Sequence, residues 1–182
     1  MQITADTRIP FPRPLVFATY RDRLSELVPH LPNVRSISVQ SRREDGELTH
    51  VVNVWRGGGE IPAAARAFLS EAMLNWDDLA TWDASAFSCA WRVRTHAFTE
   101  AVTCHGTNEF VADGDDTVVR IRGSLSIDAA KIQGVPRLLG GTVSRSVEEV
   151  LVKKIAPNLV QVSEGLRLFL EASRGAAPAR SG

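Results

Sequence analysis

Two alternating runs joined by one glycine turn constrain this chain more than any other feature. Residues 98–111 and 117–128 carry apolar side chains at nearly every second position, and Gly114-Asp115 lies between them. A two-residue turn there sets Phe110 opposite Val119, Cys104 opposite Leu125 and Val102 opposite Ile127, so apolar residues meet apolar residues. The same register faces Gly106 with Gly123 and Asn108 with Ile121. Two facing glycines weaken a flat sheet and permit a bend, so a curled sheet is expected. A third run puts Phe87, Cys89, Trp91 and Val93 on one face and Ser88, Ala90, Arg92 and Arg94 on the other. One dry face and one wet face is the habit of antiparallel sheets.

The flanking segments complete the order of elements. Ile3, Ala5, Thr7 and Ile9 alternate as a short strand, which Pro10 and Pro12 stop. Pro14 suits the first turn of a helix, where its missing N–H costs nothing. Phe17, Tyr20, Leu24 and Leu27 then follow as a helical stripe that Pro29 and Pro32 end. Asp45-Gly46 reads as a type I′ hairpin turn. Closing it pairs Ile37 with Val54, Val39 with Val52 and Ser41 with His50. After Gly57-Gly58-Gly59, the Ala-rich segment 61–75 with Ile61, Phe68, Leu69, Met73 and Leu74 reads as an inserted helix. It is either a lid hinged on the glycines or a fixed part of the core.

From Val143 through Leu170 the period becomes helical. A helix over 142–172 would be about 46 Å long, longer than the ~30 Å of a small domain, with Pro157 kinking its middle. The expected fold class is therefore α+β: a curved antiparallel β-sheet wrapped around a long C-terminal α-helix. Residues 1–173 form one domain, and the Ala/Pro/Gly-rich stretch 174–182 is a flexible tail. A curled sheet crossed by one amphipathic helix does not close along its whole length, which leaves a cavity between them.

Composition narrows the function. The 182 residues carry 21 Lys+Arg against 21 Asp+Glu, a formal charge of zero. That balance argues against nucleic acid, whose binding needs a basic excess. No apolar run of about 18 residues is present, so no integral membrane segment is expected. The start MQITADTRIP has neither a basic nor an apolar signal region, and the expected location is cytoplasmic.

The stretch Val28-Pro29-His30-Leu31-Pro32-Asn33-Val34 leads into a strand, an acidic-Gly hairpin follows, and Gly134-Val135-Pro136 precedes the long helix. With this element order, the chain over residues 2–172 resembles the START-like superfamily, also called SRPBCC, with its helix-grip fold. The resemblance implies binding of a lipid, sterol, hormone or polyketide in the cavity; some members act as cyclases or aromatases. Fold alone selects none of these. The inserted segment 61–75 departs from many relatives, in which this connection is short.

The registers above define the expected ligand-binding face: His50, Val52, Val54, Trp91, Val93, Cys104, Asn108, Phe110, Val119 and Ile121, with Glu100 near a rim. Trp91 offers a stacking surface. His50 is the candidate catalytic acid or base; the alternative is a hydrogen bond to Ser41 or a hydrated pocket end. His30, His96 and His105 are expected at the surface. No H-x-x-x-H or H-x-H spacing occurs, so neither a metal site nor a cofactor is expected. Cys89 and Cys104 form a cross-strand pair if the hairpin closes at His96-Ala97, and two buried thiols are the expected state. Asp77-Asp78 and Asp83, flanked by Trp76 and Trp82, invite a paired-carboxylate reading that a strand edge and turn explain equally well. Glu148-Glu149 and Lys153-Lys154 read as a solvated face of the last helix. The expected partner is a hydrophobic small molecule, bound and carried, or processed by a cyclase-type enzyme. Oligomeric state is open.

Overall fold

Each alternating run becomes a strand. The structure, a computed structural model, describes residues 1–58, 74–97, 99–128, 131, 157 and 160–175. Among these, the strands are β1 (Gln2–Ile9), β2 (Val34–Asp45), β3 (Leu48–Gly57), β4 (Asn75–Asp83), β5 (Ser88–Thr95), β6 (Val102–Asp113) and β7 (Asp116–Ile127). All pair antiparallel in one open sheet of order β1-β7-β6-β5-β4-β3-β2. Consecutive strands β1 and β2 thus lie at opposite edges. The helix α1 (Arg13–Asp22) and a 3₁₀ turn (Leu24–His30) carry the chain between them.

That crossing covers the inner face of the sheet at one end. Pro14 sits in the first turn of α1, and Val16, Phe17, Thr19 and Tyr20 are buried. Phe17 meets Trp82, Phe87 and Phe110 edge-on at 5.4, 5.3 and 5.2 Å. The expected single stripe splits: Phe17 and Tyr20 belong to α1, Leu24 and Leu27 to the 3₁₀ turn. The C-terminal helix α2, residues 160–175, adds Val162, Leu166 and Leu170 at a spacing of four to the same core. Gly165 admits Leu31 against α2, since a Cβ there would lie 2.8 Å from Leu31 Cδ2.

Between β6 and β7 the register is the expected one: Phe110 faces Val119, Asn108 faces Ile121, and Gly106 faces Gly123. Gly114 turns the chain with a φ of +64°. The glycine pair has a further reason. Trp91 on β5 pairs with Gly106, and its indole fills the space above both glycines. A Cβ on Gly106 would lie 2.5 Å from Trp91 Cζ2, and one on Gly123 2.9 Å from Cη2.

The β2–β3 hairpin differs from expectation. Ile37 pairs with Trp55, Val39 with Asn53 and Ser41 with Val52, with irregularities at Val34/Ser36 and Val39/Ser41. Two causes combine. The turn centres on Gly46-Glu47, with Gly46 at a φ of +61° and Glu47 not in the left-handed region. That is the Gly-first pattern of a II′ turn rather than a I′ turn. An extra residue, Gln40, then bulges out of β2 and reverses which β3 residues share a face with Ile37. Thr49, Val51, Asn53 and Trp55 are consequently buried on the inner face. His50, Val52 and Val54 point outward, which corrects their assignment to the ligand-binding face.

Cys89 and Cys104 are not opposite each other either: Cys89 pairs with Asn108 and Cys104 with Val93, and both are buried free thiols. Most of the inserted segment 61–75, the Gly134-Val135-Pro136 stretch, the surroundings of Pro157, the Glu148–Lys154 face and most of the tail lie outside the described residues.

Gly106→Ala is expected to cost about 2–3 kcal/mol, because the new methyl overlaps both backbone and a packed indole. Gly123→Ala should cost less, its contacts being longer. Urea unfolding followed by tryptophan fluorescence measures both; equal, near-zero costs would show that the indole does not need the glycine pair.

Candidate functional site

Adjacent aspartates on β4 point to opposite faces because successive side chains in a strand alternate. Asp77 faces outward, where Arg94 Nη2 lies 2.6 Å from Oδ2 and His96 Nε2 lies 2.6 Å from Oδ1. Burial pushes its carboxyl up, but the His96 and Arg94 contacts outweigh this and hold it below the usual carboxylate range. His96 is thus a hydrogen-bond partner of Asp77 as well as a surface residue. Sequence reading missed this because its partner lies one strand away.

Asp78 faces inward, beside Asn53 in the β3–β4 register and Val93 in the β4–β5 register. The Asn53 amide donates to Oδ2 at 3.3 Å. The buried indole N–H of Trp55 acts on the same carboxyl, although it completes no hydrogen bond of ordinary geometry. No cation among the described residues faces Asp78. Burial wins over the two donors, and the carboxyl is pushed up to about 6. Asp78 lies on the inner face and keeps part of its surface accessible.

Around this carboxyl the walls are aromatic. Trp55 and Trp76 stack at 5.4 Å and 18°. Tyr20 meets Trp82 edge-on at 5.2 Å. A second polar group lies across the same face: Trp91 Nε1 donates to Asn108 Oδ1 at 2.9 Å, and the Asn108 amide donates to the Tyr20 hydroxyl at 3.5 Å. Burial, followed by the Asp78 charge, pushes the Tyr20 phenol up, with Asn108 opposing. Burial likewise drives Cys89 well above an ordinary thiol and Cys104 to about 12, with Asp78 adding to both. These groups stay neutral at physiological pH.

Of the expected face, Trp91, Val93, Cys104, Asn108, Phe110, Val119 and Ile121 do lie together inside. His50 sits on the other face with Nδ1 3.1 Å from Thr81 Oγ1, away from any inner ligand. Glu100 is exposed, and His105 faces outward near Ser124. Asp83 caps its turn by accepting from Ser85 and Ala86. Asp78, read from sequence only as one of a possible carboxylate pair, was not placed on the inner face, although a signal was present: Trp76, Asp78, Ala80 and Trp82 alternate in phase, which puts the carboxyl on an apolar face.

No family model matches this chain, and no characterised protein sequence matches it. Solved structures do. The Zhui aromatase/cyclase from Streptomyces sp. R1128 superposes with a TM-score of 0.69 at 16% identity over 98% of either chain. Truncated norcoclaurine synthase from Thalictrum flavum gives a TM-score of 0.60 at 12% identity, over 93% of this chain and 92% of that one. The major latex-like protein 151 of Panax ginseng gives 0.55 at 12%, over 93% and 96%. The chain has the helix-grip fold. At these identities the likeness carries the fold and no activity.

Two measurements probe this helix-grip face. Asp78 ionises less readily folded than unfolded, so the native state holds the extra proton between about pH 4 and 6 and stability falls as pH rises through that window. Asp78→Asn should therefore be more stable than the parent above pH 6, by about 2 kcal/mol after allowance for its accessible surface. The gain should vanish near pH 4; urea unfolding across pH measures it, and a pH-independent difference would contradict the raised carboxyl. Asn108→Ala leaves the Trp91 N–H without a partner and should cost about 2–3 kcal/mol in the same assay.

Proposed function

We propose that this protein binds and carries a hydrophobic small molecule, lipid-, sterol- or polyketide-like, between the inner sheet face and the C-terminal helix. The observation that carries the reading is Asp78. A partly accessible carboxyl on the inner face, beside Trp55, Trp76 and an otherwise apolar wall, supports a ligand site in front of it. Apolar walls with a few convergent polar groups are the usual make-up of a small-molecule site. Val93, Asn108, Phe110, Val119 and Ile121 continue the inner face beyond that carboxyl, packed into the core. The aromatase/cyclase and latex-protein structures share the fold over almost their full lengths. Among the described residues no helix is long and apolar enough to cross a membrane.

A second reading, an enzyme of the cyclase or aromatase type, is favoured by the same group. A carboxyl near pH 6 is a competent acid or base at neutral pH, and Asp78 takes the role that His50 cannot reach.

Native mass spectrometry of protein purified without denaturation should show a bound apolar molecule, and Nile red should brighten on addition to stripped protein. Ligand-free protein that neither binds Nile red nor melts higher with lipid or aromatic probes would sink the binding reading. Conversion of a bound polyketide-like probe by the parent, with loss on Asp78→Asn but binding retained, would favour the enzyme.

A further inference from the structure

Asp77 and Asp78 are chemically identical neighbours, and only one has a counter-charge within the described chain. Asp77 has the Arg94 guanidinium and the His96 ring each at 2.6 Å. Among the described residues Asp78 has only the neutral donors Asn53 and Trp55, and Trp55 closes no regular hydrogen bond. An ionised carboxyl held away from water without a countercharge is costly, and the cost is relieved by a cation arriving from outside. The surroundings suit an organic cation. Trp55 and Trp76 stack two residues along the strands from the Asn53–Asp78 pair, so aromatic faces stand beside the carboxyl. Such faces attract alkylammonium groups by their quadrupole.

We propose that Asp78 is the anchor for a ligand's protonated amine, and that the protein therefore selects hydrophobic amines over neutral molecules of equal size. The inference rests on the reading of the inner face as a binding site. The ammonium donates to the open side of the Asp78 carboxylate while its apolar body lies along Trp55, Trp76 and the inner face. Asn53 holds the second lobe of the carboxylate and fixes its orientation. Among the described residues the other titratable groups that face Asp78 are Tyr20 from α1, Cys89 from β5 and Cys104 from β6. All three are pushed up and stay neutral below about pH 8, so the pH dependence of amine binding between about pH 5 and 8 belongs to Asp78.

The test is calorimetric titration of stripped protein with naphthylmethylamine and with its neutral isostere naphthylmethanol, Nile red serving as a general probe. At about pH 8 the amine should bind about tenfold tighter than the alcohol. The advantage should fall as pH drops through about 6 and Asp78 takes its proton. Asp78→Asn should remove the amine's advantage over the alcohol; the pH series on the unmutated chain needs no variant to fold. Alcohol and Nile red binding with no amine preference, or a preference that survives Asp78→Asn, would overturn the amine anchor and leave the binding reading intact. Tighter alcohol binding at about pH 5 would assign Asp78 as a neutral donor instead. No binding of any of the three would overturn both readings together.

Discussion

The Trp91 indole, laid over Gly106 and Gly123, is the contact on which the inner face depends. It ties β5 to β6 and β7 at the point where those strands have no side chains of their own. Its N–H engages Asn108, which reaches Tyr20 on α1, so one aromatic ring couples three strands to the crossing helix. Packing in a protein interior leaves little slack, and an added methyl at either glycine would move the indole off that network. The residue read from sequence as a ligand-stacking surface is thus largely consumed by the fold. It is 7% exposed.

What remains for a ligand lies on the β3–β4 side. Here the face is aromatic but interrupted by Asn53 and Asp78, a polar pair in an otherwise dry wall. The contrast with Asp77 shows how little of a carboxylate's behaviour belongs to the residue itself. One step along the strand moves the group from a paired guanidinium to, among the described residues, no cation, and the direction of its shift reverses. Burial acts on both; only compensation differs.

Where strand pairing followed from a glycine turn and a regular ladder, the sequence was readable to the residue. The β6–β7 register, the facing glycines and the outward Arg92, Arg94, Arg120 and Arg122 are examples. The β2–β3 hairpin was not, because both faces of β3 carry apolar side chains: Val51 and Trp55 on one, Val52 and Val54 on the other. Hydrophobic pattern then cannot choose the register, and a single bulged residue decides it. His50 lost its role through that one residue.

By itself the sequence determined the local period of each element, the turn glycines and hence the element order of a helix-grip sheet. These depend on neighbours a few positions apart, where sterics and alternation act directly. Tertiary structure alone decided which of two adjacent aspartates found a cation, which face of β3 turned inward, and that Trp91 serves the fold. Each of those outcomes depends on groups from other strands, whose positions follow only once the whole sheet has closed on its helices.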